Sequence, residues 1–417
     1  MLKNNYYTLI SCLILCFTTG KAQSLSLDSI LVIIRTNNPQ LKMYDADIQS
    51  MDAAAVGAKS WMAPQINSGF FMTPFNPKMW KADGMNLGMG SLMIGATQML
   101  PNKKKQNAEF NLMNAMSSVE KENKNYTLNQ LYAVAKNNYY QGLVLLKKVK
   151  IAADNILLLD YMITAMEIRY QYNMDKLSTY YKAKAQKGEL EGMIVMLQND
   201  LSQKLIMLNT LMARDKNTMF EIDTNYQLMD FKYAIEDTAL LSKNRSDLKA
   251  IDRTMEINEL KVNAEKAKLL PEFGIKYDHM FTFGQQPQLF TLMGMANIPM
   301  PWSTKMYKAN INSFKIKNES LNWQKQMILN EITGMLSGMN IELTNLKKQY
   351  NIIEKSIIPA LKKSYETAIL AWQNNTGDLF LVLDTWEALN MSQLDALDKL
   401  QNILVTQVEI EKQLEAK

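Results

Sequence analysis

The chain has 417 residues, 47% apolar and 21% charged, with a formal net charge of +5, the balance of a globular protein with room for two or three ordinary domains. A single histidine, two cysteines and the lack of zinc-ligand spacing, nucleophile–base pairs or Gly-rich phosphate loops argue against an enzyme, and no cofactor is expected. Gly (16) and Pro (10) are scarce and Met (31) is abundant, so turns are few and straight-chain residues favour long helices, where they lose little rotamer freedom.

Residues 1–22 read as a signal peptide. "MLKNNYY" supplies one Lys, "TLISCLILCFTTG" is a short apolar run, and small residues stand at −3 and −1 of a cut after Ala22. The run is well short of the ~20 residues of a membrane-spanning helix. Taking "LISC" as a lipoprotein box with Cys12 acylated leaves "LILCF" behind the cut, against the usual layout. Both cysteines, Cys12 and Cys16, fall in the leader, so the exported chain has neither a disulfide nor a thiolate ligand. Cleavage removes Lys3 and Lys21 and no acid, taking +5 to +3, which gives no nucleic-acid footprint.

Beyond the leader the chain repeats itself. "NNPQLKMYDADIQSMDAAAVGAKSWMAPQINSGFF" from Asn37 aligns with "NRSDLKAIDRTMEINELKVNAEKAKLLPEFGIKYD" from Asn244, matching Leu41–Lys42, Asp45, Lys59 and Pro64 at one offset of 207. "LMIGATQMLPNKKK" from Leu92 aligns with "LMGMANIPMPWSTK" from Leu292 at an offset of 200. Asn173 and Asn375 lie 202 apart. Three matches in order at nearly constant offset indicate a duplication, with repeats over 23–213 and 237–417 joined by a linker over 214–236.

Each repeat has the same grammar. A helical run comes first, with Leu248, Ile251, Met255 and Val262 on one stripe, and Pro64 or Pro271 is expected to end it. A β-hairpin follows, about 65–99 and 272–299. In "EFGIKYDHMFTF" the apolar Phe273, Ile275, Tyr277, Phe281 and Phe283 alternate with Glu272, Gly274, Lys276, Asp278 and Thr282, a sheet with one oily and one wet face. The hairpins' second strands are expected at about Leu87–Met99 and Phe290–Ile298. Next come helical stretches of some 70 residues, about 103–172 and 303–373, on the order of 100 Å each and so part of a coiled coil or bundle. "YQYN" and "WQNNTG" interrupt these helices. Asn tolerates the left-handed conformation that ends a helix, so both read as tips of long helical hairpins.

The fold class expected is therefore mainly α with a small β part. Four strands cannot close a barrel, and an open sheet edge cannot sit in lipid. No other stretch is apolar for 18 residues. The strands either form a small soluble sheet or are shared between copies, and three copies give a trimeric 12-stranded barrel.

The order of these motifs resembles the TolC family of outer-membrane efflux channels over nearly the whole mature chain. "LSLDSILVIIRTNNPQLK", the twin prolines Pro64 and Pro271, "QMLPNKKK" and the two tips carry the resemblance. It implies a homotrimer with a β-barrel in outer-membrane lipid and an α-barrel tunnel through the periplasm. It also implies passive export for a periplasmic adaptor and an inner-membrane pump, the RND type being expected. By position Asp384 and Trp372 are the periplasmic gate candidates, and Tyr170, Asn173, Ser178, Asn375 and Gly377 the tip residues meeting the adaptor. The chain departs from the family in having Asn at the tip Gly of both halves, and Thr179 and Leu381 six residues beyond. Three copies of Asp384 around an axis would raise one another's pKa and attract cations; an exposed helix-surface acid is the plainer reading.

Thioethers suit Cu(I) and Ag(I), so heavy-metal cations stand beside small-molecule drugs as candidate cargo. Met85, Met89 and Met93 are weak metal candidates, because four-residue spacing along a strand puts them about 13 Å apart. His279 reads as a loop or interface residue. The rival classes are a periplasmic adaptor, which needs a larger β portion, and a structural coiled coil, which needs no alternating strands.

Overall fold

The computed structural model describes residues 24–172, 176–231 and 238–415. The leader, Asn173 and part of the linker lie outside the described residues. In chain order the elements are β1 (Ser24–Leu25), α1 (Leu27–Asn37), α2 (Pro39–Val56), β2 (Gln65–Phe71), β3 (Ser91–Leu100), α3 (Lys103–Gln171) and α4 (Leu177–Leu211). They continue with β4 (Glu221–Ile222), α5 (Thr238–Asn244), α6 (Ser246–Ala267), β5 (Glu272–Thr282), β6 (Leu289–Asn297), α7 (Lys305–Ile352), a π turn (Ile353–Ile357), α8 (Ile358–Gln373) and α9 (Leu379–Leu414). The protein is mainly helical with a small β part. Among the described residues no helix is long and apolar enough to cross a membrane.

The chain forms two compact units, each drawing on both halves of the sequence. The first holds residues up to 42, 126–245 and from 330 on. Its helices α3, α4, α8 and α9 present apolar stripes to one another in two clusters. In one, Ile30 and Ile34 of α1 pack on Tyr139, Leu143, Leu205, Leu208, Leu400 and Leu404, closed by Leu25 and Ile222 of the parallel pair β1–β4. In the other, Leu159, Met162, Met166, Ala183, Leu190, Val382, Leu383 and Trp386 surround Trp372.

Asn38, in the "NNPQLK" stretch, explains why the first helical run breaks. It caps the end of α1, and its Oδ1 accepts the Gln40 N–H at 2.9 Å to start α2, with Pro39 at the first helical position where no N–H is needed. Its buried Nδ2 donates to the Leu211 carbonyl at 2.9 Å, satisfying the end of α4.

The second unit, residues 43–125 and 246–329, contains the four-stranded antiparallel sheet in order β2-β3-β5-β6. Asn102 of "QMLPNKKK" caps α3 by accepting the Lys104 N–H at 3.0 Å, and its Nδ2 donates to the Pro271 carbonyl at 3.2 Å. The start of α3, after the first hairpin, is thus tied to Pro271 at the base of the second.

Three expectations change. The helices end before the prolines: α2 stops at Val56 and α6 at Ala267, while Pro64 and Pro271 stand immediately before β2 and β5, where a missing N–H costs no ladder bond. The long helix of the second half is not continuous. A π turn precedes Pro359, and the wider turn gives its ring the room a regular helix denies. The second strand of the first hairpin begins at Ser91, not near Leu87, because Gly88 (φ +80°) and Gly90 (φ +100°) take left-handed conformations that a strand excludes.

Candidate functional site

The sheet has two chemically distinct faces, set by register. Direct cross-strand partners share a face, so Phe70–Leu92–Phe281 form one row and Ala96–Tyr277–Leu292 another on the same side. Ile66, Phe70, Ile94, Phe273, Ile275, Phe290 and Leu292 are exposed there, Ile66 and Phe290 by 75% and 69%. This is a largely apolar surface, interrupted by Ser68, Gln98 and His279, and among the described residues nothing covers it and β2 and β6 leave both edges of the sheet unpaired. Single exposed apolar residues are ordinary; a sheet face made largely of them is not.

The opposite face mixes polar residues with methionines and, at one end, Phe71 and Leu289. Asn67, Gly95, Asp278 and Thr291 make a row across the four strands. Asp278 is 2% exposed and pairs with Lys276 at 3.0 Å. Its Oδ1 fills the space a side chain at Gly95 would take, 2.0 Å from where a Cβ would stand. At one end of the sheet Trp80 stacks on Phe283 at 5.4 Å with Phe70 beside both, and its Nε1 donates to the Pro74 carbonyl at 2.8 Å. Backbone bonds Phe283 N–H to Gly90 O (2.9 Å) and Gln285 N–H to Leu87 O (3.0 Å) join the two hairpin loops.

In the first unit, the turn between α8 and α9 is closed by stacked backbone bonds. Asn375 has φ +58° and donates to the Trp372 carbonyl at 3.1 Å, while Thr376 and Gly377 donate to the Ala371 carbonyl at 2.9 and 3.0 Å. Gly377 leaves no room for a Cβ, which would come within 2.9 Å of Ala371 Cβ. Asp378 starts α9 by accepting the Phe380 N–H at 3.0 Å. Trp372 is 2% exposed with the Arg169 guanidinium 4.9 Å above its ring. Below the turn, Trp386 Nε1 donates to Asn155 Oδ1 at 2.7 Å, and Asn155 donates to Asn390 at 3.1 Å, a buried polar chain between α3 and α9. Lys187 is held above its ordinary pKa by its hydrogen bond to Asp160, Lys184 by its bond to Tyr180, and burial raises the Tyr365 phenol.

No family model and no curated protein matches the chain. Solved structures do. A membrane protein from Pseudomonas aeruginosa superposes with a TM-score of 0.73 at 12% identity, over 94% of this chain and 91% of that one. The outer membrane protein VceC of Vibrio cholerae gives 0.70 at 14% identity, over 93% and 95%. The open-state outer membrane channel MtrE of Neisseria gonorrhoeae gives 0.69 at 13% identity, over 93% and 88%. The fold is that of outer-membrane channels. At these identities the likeness is one of fold.

Within that fold the sequence-derived site residues separate. Tyr170 and Ser178 are exposed at the facing ends of α3 and α4, while Asn173 lies outside the described residues. Asn375 and Gly377 form the second turn. Asp384 is exposed on α9, one turn from exposed Phe380 and Leu381. Trp372 is enclosed in the helical core, so it acts by packing and has no open surface to offer a passage. Met85, Met89 and Met93 do not form a column. Only Met93 is in a strand; Met85 stands fully exposed in the turn bridged by Asp83 and Asn86, and the Met89 N–H is bonded to Met79 O. Sequence reasoning missed Arg169, Asn155 and Asn390. No local signal distinguishes a helix-surface Asn or Arg from one that meets a partner two hundred residues away.

Proposed function

We propose that this chain is one third of a passive outer-membrane exit duct, a homotrimer of the TolC type. The observation that carries it is the sheet: an uncovered oily face, a more polar opposite face and two open edges on a four-stranded sheet. Open edges cannot sit in lipid, but three copies joined edge to edge supply twelve strands and leave none. Strands of 7, 10, 11 and 9 residues suit the ~9–11 needed to cross a bilayer at a tilt. The oily face then meets outer-membrane lipid and the polar face lines the conduit. The helices form a tunnel through the periplasm, and the turns near Tyr170, Asn173, Ser178, Asn375 and Gly377 meet a periplasmic adaptor fed by an inner-membrane pump of the RND type. Asp384 belongs to the gate at that end. The duct supplies no energy; heavy-metal cations such as copper or silver stand beside small-molecule drugs as its candidate cargo.

The test is to express the full chain in a Gram-negative host, isolate the outer membrane and reconstitute the protein in planar bilayers. Oligomers of three chains that resist mild heating, and discrete ion conductance, are the expected results. A water-soluble monomer without conductance would overturn the reading.

A further inference from the structure

The polar face of the sheet holds more methionine than a wet surface needs. Met99 in β3 is the direct partner of Gly274 in β5, which is in turn the direct partner of Met295 in β6. All three positions therefore lie on one face. Gly274 has no side chain, and the Met99 thioether occupies the vacant place: its Sδ is 2.6 Å from where a Cβ on Gly274 would stand. The sulfur therefore lies over β5, on the face of the sheet that Met295 shares. With strands ~4.8 Å apart, the Met295 Cα is within about 5 Å of Gly274, inside the reach of an extended Met side chain. Met293 stands two residues along β6 on the same face, about 7 Å away.

We propose that Met99, Met295 and Met293 form a thioether site for a soft monovalent cation, Cu(I) or Ag(I). A methionine used as apolar filler needs a core to fill, yet Met293 and Met295 are 42% and 39% exposed, beside Thr97, Lys276 and Thr291 and away from the separate row of Met93, Met280 and Leu289. Thioethers are neutral at every working pH and soft, so they select Cu(I) and Ag(I) over Zn(II), Mg(II) or Ca(II). The nearby Lys276 does not repel a cation at full strength, because Asp278 holds it at 3.0 Å. Two or three neutral donors make an exchangeable site, suited to a cation in transit. No redox step is involved. The inference rests on the reading that this face lines a conduit, and it names the cargo class that conduit takes.

The experiment uses the purified full-length oligomer with ε-methyl-labelled methionine. Silver nitrate is titrated in chloride-free buffer, followed by methyl NMR and equilibrium dialysis, with single-channel conductance measured in parallel. Saturable Ag(I) binding is expected, with the Met99 and Met295 methyl signals shifting together and no response to Zn(II). Met99→Leu and Met295→Leu, which keep volume, should each weaken binding by at least the ~10-fold that outer-shell changes alone cost metal sites. Met85→Leu should change nothing. Absence of saturable binding, or binding retained in the Met99→Leu/Met295→Leu double variant, overturns the site while normal conductance leaves the duct standing. Loss of conductance in the unaltered protein overturns the duct, and shifts at Met99 and Met295 would still establish the site.

Discussion

At the residue scale, Asn375 shows how one side chain decides a turn. Its φ of +58° places it in the left-handed region, where a Cβ-bearing residue other than Asn or Asp is disfavoured. Asn375→Ala should destabilise the protein by about 1–2 kcal/mol, read as a lower thermal midpoint, while Asn375→Gly should be close to neutral. Asp384 lies on the exposed side of α9 and has no ion pair among the described residues. If copies of it face one another at the narrow end of a conduit, Asp384→Ala should raise bilayer conductance and relieve block by divalent cations; unchanged conductance and block would remove it from the gate. The type of Asn375 and its fitness for a turn are legible in "WQNNTGD". The enclosure of Trp372 is not, because an aromatic near a helix end reads the same whether it points into a core or a passage.

At the element scale, short polar residues join elements far apart in sequence. Asn38 ends α1, starts α2 and satisfies the last turn of α4 through the Leu211 carbonyl. Asn38→Ala removes the cap and orphans that carbonyl, so a loss of about 1–3 kcal/mol is expected in urea unfolding. Asn38→Asp keeps the cap but sets a carboxylate oxygen against the Leu211 carbonyl at a buried site, and should cost at least as much as Asn38→Ala. The strands of the second half were legible because a period-2 pattern runs through β5 with Pro271 ahead of it. The late start of β3 was not: "DGMNLGMGS" supports either an extended strand or a loop, and the packing of Gly88 against Trp80 and Gly284 decides for the loop. Gly88 has room for neither a Cβ nor a straight backbone there, so Met85 and Met89 are carried away from the sheet.

For the molecule as a whole, the two faces of the sheet make opposite demands on neighbouring positions. Leu292 lies on the oily face and Thr291, the next residue back, on the polar one. If the oily face meets lipid, Leu292→Lys should cost about 2–4 kcal/mol of insertion energy near the bilayer midplane. Thr291→Lys should be tolerated, since Asp278 is its direct partner across the strand. The measurement is the yield of heat-resistant oligomer in outer membranes. Full yield from Leu292→Lys would mean that the oily face does not meet lipid.

Composition, the duplication and hydropathy periods were enough to establish long helices, two hairpins and a sheet with unlike faces, because these properties are local and repeat along the chain. Only the tertiary structure determined which methionines meet, that Trp372 is enclosed, that Asn155 bonds Trp386 and Asn390, and where β3 begins. Those outcomes depend on register and on contacts between residues more than two hundred positions apart, and a one-residue change of register moves every side chain of a strand to the other face.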